Sequence, residues 1–478
     1  TNSYTGITRI DAGTFQLGIG STFGSIASSA GVVGGANTML VFNRSDNYGG
    51  SYGMPISGQL GVSQIGSGTL VLTGNNTYSG TTSLNAGTLQ IGAGGTVGSI
   101  AGSAAVTGST GATLAFNRSD NYGGSYGMPP IGGGINVAQI GSGTLALAGV
   151  NTYSGTTSVT AGVLSISSTT ALPGWNTAGR YTTSAGAALV VGNGVSDADF
   201  NTIRTTGSFA ANSMVGFDTS AGNRTYAGTV ISNLAGNALG FMKIGSGTLT
   251  MNVANTYTGP TGINEGVLRL GVANAIPSTS AVNLAGNGSL DLANSSNSGA
   301  VTVSGSGSIF GSGTLTATTS YTFSNTSGTS SASAVLAGAS VTFTKSGAGT
   351  TLLSGLNTFS GKTSVSGGML EFSSIANVSG GASSFGAPIT TANGTIDIGS
   401  GTGSFTLRYV GSGNTTNRVI NMAGTTGGVT LDASGSGPLV FSSTFTATGA
   451  GNKTFTLTGS STANNSIVSV PNSTGTTS

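Results

Sequence analysis

Residues 66–92 read GSGTLVLTGNNTYSGTTSLNAGTLQIG. Leu70 and Leu72 alternate with small or polar neighbours, the period of a half-buried strand. Gly74, Asn75 and Asn76 interrupt that strand with turn chemistry. After Tyr78 and a second break at Gly80, Thr82 and Leu84 alternate again. Leu84 and Leu89 are five positions apart, which a straight strand would put on opposite faces. Ala86-Gly87 is therefore a corner that resets the phase, and Leu89 and Ile91 make a third short strand. Three short strands between glycine corners, with no helical period, predict turns of a wound β structure.

The stretch returns at residues 141–166, 245–271 and 347–372, and the chain opens on the back half of another copy at residues 2–18. Thr351 stands where Leu70 would be, and Phe359 replaces the tyrosine. Leu72, Leu147 and Met251 are equivalent and predicted inward; Thr73 is predicted outward. A longer segment, FNRSDNYGGSYGMP, occurs at residues 42–55 and again at 116–129, an offset of 116 − 42 = 74. Later copies stand farther apart, with Asn151, Asn255 and Asn357 separated by 104 and 102 residues. At roughly 25 residues a turn, the short steps are about three turns and the long ones about four. Steps of unequal length suit a stacked solenoid and not a closed barrel.

The repeated residues resemble the passenger-associated strand repeat of bacterial autotransporters, whose core reads G-x-G-T-L-x-L-x-G-x-N-T-Y-x-G. The resemblance implies a secreted or surface-displayed passenger with a parallel β-helix fold; it implies no ligand. The expected architecture is all-β: one continuous right-handed parallel β-helix (β-solenoid) over residues 1–478, an elongated rod. Clear repeats fall at 1–166, 243–271 and 345–372, with degenerate turns elsewhere. Parallel crossovers favour the right hand. Such families close in a membrane β-barrel, and no such closing domain is read in these residues. Residues 197–205 are the least β-like stretch and read as a loop projecting from the stack.

Composition narrows the function. Charged residues are 5% and the formal net charge is +2, so there is little field to steer a charged ligand. The thirteen Lys and Arg are scattered, which argues against nucleic acid. With no cysteine and no histidine, thiolate and imidazole metal sites are excluded, as is a Ser-His-Asp triad. No apolar run reaches the length of a membrane helix. No cofactor is expected.

An enzyme on such a scaffold needs paired carboxylates or an acidic cluster. Among the eleven acidic residues the nearest pair is Asp197 and Asp199, which reads more simply as a solvated loop. The duplicated segments supply a candidate contact surface: Arg44, Tyr48 and Tyr52, with Arg118, Tyr122 and Tyr126. Tyr and Arg on a polar background suit contact and sugar stacking; the preferred reading is that the tyrosines cover the rod's core or its flank. The expected role is a non-enzymatic extracellular stalk, adhesin or fibre-forming protomer on a Gram-negative-type cell. Its expected partners are further copies of itself and host-surface or matrix glycans. The rival is a polysaccharide-active enzyme.

Overall fold

The three strands expected in residues 66–92 are Thr69–Leu72, Thr82–Leu84 and Thr88–Ile91. The corner between the last two is built on Gly87 at φ +62°, where a Cβ would stand 2.3 Å from the Gly68 carbonyl oxygen. Only glycine fits both the left-handed backbone and that approach. Its equivalents Gly162, Gly266 and Gly368 have φ between +58° and +63°.

A computed structural model describes residues 2–50, 53–124, 127–399 and 401–470. The chain divides into two compact units, Thr1–Asp218 with Leu234–Leu239, and Thr219–Asn233 with Gly240–Ser478. Each is a parallel β-solenoid, and about 4% of the structure is helical.

In the first unit Leu70, Leu89, Leu114 and Val137 follow one another in parallel register, all buried. Identical or similar apolar residues thus stack on each other from turn to turn. These turns are 19, 25 and 23 residues long (89 − 70, 114 − 89, 137 − 114). A 75-residue step is therefore not a whole number of turns. Leu70 and its equivalent Leu145 lie in different sheets, so the motif moves round the stack between copies.

In the second unit Leu249, Leu268, Leu290, Ile309, Ala332 and Leu353 continue in register. Five steps of 19 to 23 residues separate the last two copies, where four longer ones were expected. The Ser/Gly/Thr-rich stretches between and after the copies are further turns, with Ser320–Phe323, Ile396–Ile398, Leu439–Phe441 and Phe455–Thr458 as their strands. Thr351 is tolerated in a core position because its hydroxyl meets Ser330 at 2.9 Å and Asn325 at 3.2 Å, all three buried.

Leu72, Leu147 and Met251 are buried as predicted. Thr73 corrects the outward assignment: it is also buried, because the strand ends at Leu72 and the alternation stops with it. Residues 197–205 are not a loop either. Asp197–Thr206 is an α-helix that buries Phe200, Ile203 and Arg204. It stops at Gly207, where a Cβ would lie 2.3 Å from the Tyr181 ring.

Candidate functional site

The duplicated turns hold four of the six candidate contact residues; Tyr52 and Tyr126 lie outside the described residues. Tyr48 sits in the two-residue strand Tyr48–Gly49, whose pairing with Leu70 and Val71 turns the ring into the core. The ring packs 5.9 Å from Phe42, and its hydroxyl accepts the Ile26 N–H at 3.0 Å. The Arg44 guanidinium lies 4.8 Å from the ring centroid. Its Nε and Nη2 donate to Asp46 at 2.9 and 2.7 Å, and its remaining donors reach the Gly24 and Thr22 carbonyls. The hydrogen bond from Arg44 holds the Asp46 carboxyl below the ordinary carboxylate range.

Arg118, Asp120 and Tyr122 repeat the arrangement, with the guanidinium 5.0 Å over the ring and the Ile100 N–H 2.8 Å from the phenol oxygen. Both tyrosines are buried, and both arginines tie a loop 20 residues upstream to their own turn. The arrangement is that of a packed clamp, with the carboxylate edge as its most exposed part.

Asp197 and Asp199 do not face a groove together. Both stand in the first helical turn, where carboxylates suit the exposed N–H groups. Ser196 Oγ accepts the Asp199 N–H at 3.1 Å and donates to its carboxylate at 2.7 Å. Among the described residues no group of three or more acidic side chains could hold a metal ion. No helix there is long and apolar enough to cross a membrane.

The recurring chemistry lies instead in the repeat. Asn76, Asn151, Asn255 and Asn357 are buried. Each Oδ1 accepts a backbone N–H from the preceding turn, at Ile56, Ile131, Ile231 and Leu336, over 2.9–3.0 Å. Each Nδ2 donates forward, to the carbonyls of Ser99, Ala171, Ala275 and Ser384, over 2.8–3.0 Å. One side chain thus joins three successive levels of the stack. The sequence signal was the recurring Asn itself, which reads equally as a turn residue.

The tyrosines two positions on add a second clamp. Tyr78, Tyr153 and Tyr257 meet Thr82, Thr157 and Thr261 at 2.7 Å, and Thr82 and Thr261 pass the contact to Ser103 and Ser280 at 2.8 Å. Burial pushes these phenols up, that of Tyr153 to about 12. A third clamp closes the Gly-x-Gly corner. Gln64 Nε2 donates to the Gly66 and Gly68 carbonyls at 3.0 and 3.1 Å, and Gln139 does the same at Gly141 and Gly143. Lys243 and Lys345 take this place in the later copies, reaching the carbonyls of Gly245 and Gly347. Burial lowers the Lys345 ammonium to about 8.

The stacked turns and their clamps define a repeat-built β-solenoid. Residues 1–17, 62–91, 137–166, 242–270 and 343–372 match the passenger-associated-transport-repeat family, and the chain carries these repeats of autotransporter passengers. Over 85 residues, 17% of the chain, it is 47% identical to the adhesin BmaC autotransporter of Brucella suis biovar 1 (strain 1330). That match spans 2% of the length of the relative. No solved structure matches the chain.

Proposed function

We propose that the chain is a non-enzymatic part of an autotransporter passenger, displayed on the surface of a Gram-negative-type bacterium, and that it acts by adhesive contact. The observation that carries this reading is the repeat match together with the similarity to a relative named an adhesin. The charge inventory supports it. Arg44–Asp46, Arg118–Asp120, Arg269–Asp291, Lys362–Asp397 and the trio Glu371–Arg408–Asp432 are ion pairs within or between turns. Acids used in this way are poorly placed for general acid–base work, which needs two carboxylates facing one bond. Asp197 and Asp199 are engaged at a helix start.

The test is display of the chain between a secretion leader and a membrane barrel on a non-adherent bacterium. Increased attachment to cultured cells is expected. Unchanged attachment, with the chain shown by antibody to be on the surface, overturns the reading. Self-association follows as a further part of the proposal, because a net charge of +2 opposes contact between copies only weakly. Light scattering over a concentration series checks it, with growth in mass expected and a constant monomer mass against it.

A further inference from the structure

One sheet of the second unit carries an outward lattice of hydroxyls. Val301–Val303, Ser320–Phe323, Thr342–Lys345 and Thr363–Val365 pair in parallel register. Val301, Val303, Tyr321, Phe323, Phe343 and Val365 are buried, so the alternate positions face out. In register these read Thr302, Thr322, Thr344 and Ser364. Two residues to one side along the strands stand Ser320, Thr342 and Lys362; two residues to the other stand Ser304, Ser324, Ser346 and Ser366. The rungs are ~4.8 Å apart and the columns ~6.7 Å apart, from the geometry of a parallel sheet.

Two properties describe this face. Among the described residues only Ser304 and Ser366 of these outward hydroxyls are bonded to the protein, donating to the Leu284 and Lys345 carbonyls at 3.3 and 3.4 Å, whereas the inward Thr261 meets Ser280 at 2.8 Å and Ser330 meets Thr351 at 2.9 Å. The row from Thr302 to Ser364 also carries no charge. At its margin Lys362 is neutralised by Asp397 at 2.5 Å, and Asn421 donates to the same carboxylate at 2.9 Å. The other long sheet of the unit carries its outward charges as cross-strand ion pairs, as at Glu371–Arg408–Asp432.

We propose that this face binds an uncharged polysaccharide laid along the columns, which rests on the adhesive reading above. Each hydroxyl is donor and acceptor at once, as is each hydroxyl of a sugar. A regular row on the protein therefore matches a regular row on a polymer without needing one fixed polarity of bond. The absence of charge gives a polyanionic glycan no attraction here. Single contacts of this kind are weak in water, because each replaces a bond to solvent. A polymer that meets several rungs at once gains from their linkage, and a free monosaccharide does not.

The test is co-sedimentation of the whole chain with insoluble cellulose, beside retention on immobilised heparin. The variant Thr302→Val/Thr322→Val/Thr344→Val removes three hydroxyls and keeps shape and strand preference. Circular dichroism and melting temperature establish that it folds; if it does not, Thr322→Val alone takes its place. Binding of the parent chain to cellulose, weakened at least about tenfold in the triple variant, supports the proposal. No sedimentation with cellulose, equal binding by the variant, or retention on heparin alone overturns it. A loss of self-association in the variant, with cellulose binding unchanged, assigns the face to contact between copies and also overturns it. If bacteria displaying the variant attach to cells as well as the parent does, this assignment fails and the adhesive reading stands. If the purified chain binds cellulose through these hydroxyls while displayed chain gives no attachment, the adhesive reading fails alone.

Discussion

Asn75 and Asn76 are neighbours with the same side chain and opposite environments. Asn75 is exposed, whereas Asn76 is 4% exposed and spans three levels of the stack. Truncating Asn76 to Ala removes the acceptor for the Ile56 N–H at 2.9 Å and the donor to the Ser99 carbonyl at 3.0 Å. Both backbone groups are left inside without partners, at about 1–3 kcal/mol each. The small cavity adds to this, and local relaxation subtracts. The expected loss is about 3 kcal/mol, against less than about 0.5 kcal/mol for Asn75→Ala. Urea unfolding measures the difference. Because a solenoid's stability is a sum over neighbouring turns, hydrogen exchange at the Ile56 amide gives the local reading, and its protection should fall by about two orders of magnitude. Equal losses from the two substitutions, or an Ile56 amide that stays protected in Asn76→Ala, would refute the clamp.

Three further outcomes are expected. Phe359→Tyr should raise stability by about 1 kcal/mol, because the buried Thr363 hydroxyl four residues on has no partner where the other copies have a tyrosine; an unchanged or lower melting temperature would count against it. Stability should rise between about pH 8 and 10.5, because Lys345 loses its proton in the folded chain at about 8 and in the unfolded chain near the ordinary 10.5. Above about pH 10 the buried phenols reverse the trend: the unfolded chain ionises there, while Tyr153 and Tyr181 stay protonated to about 12 in the fold. Urea midpoints across pH 7–11 test this, and Lys345→Gln should flatten the rising limb. Arg418→Met should make residues 376–386 protease-sensitive, since the buried guanidinium bonds the Ala376, Phe385 and Gly386 carbonyls at 2.8–3.1 Å; resistance equal to the parent would show the segment is held otherwise.

Strands and corners were legible because each leaves a mark in single residues: Leu70 and Leu72 by alternation, Gly87 by a backbone that needs glycine. Turn number was less so. The chain does not state how many residues a degenerate turn uses, and turns of 19 to 23 residues fitted five steps where four were expected. The helix Asp197–Thr206 had a readable start, with Ser196 capping Asp199 three residues on and Phe200 and Ile203 on one face. Its weak apolar pattern was outweighed by the β character around it. The orientation of Tyr48 was readable only as a choice between a contact surface and a cover for the core or its flank, and the ring is buried. That burial follows from a two-residue strand pairing with Leu70 and Val71, a tertiary fact that leaves no local pattern.

The same distinction bears on what the repeat can say about function. Its recurring residues, Asn76, Tyr78, Gly87 and Gln64 with their equivalents, are engaged in joining one turn to the next. A match to this repeat therefore carries the fold and says little about what the fold touches. Specific contact must come from positions the repeat leaves free: outward residues whose side chains are not required by the stack. In the second unit Thr302, Thr322, Thr344 and Ser364 are such positions, aligned by the register, with hydroxyls that bond no other group among the described residues. The register that the inward clamps maintain is also what holds those hydroxyls in line. A clamp lost at Asn357, between Leu336 and Ser384, should for that reason weaken polymer binding as well as stability, although it touches no ligand.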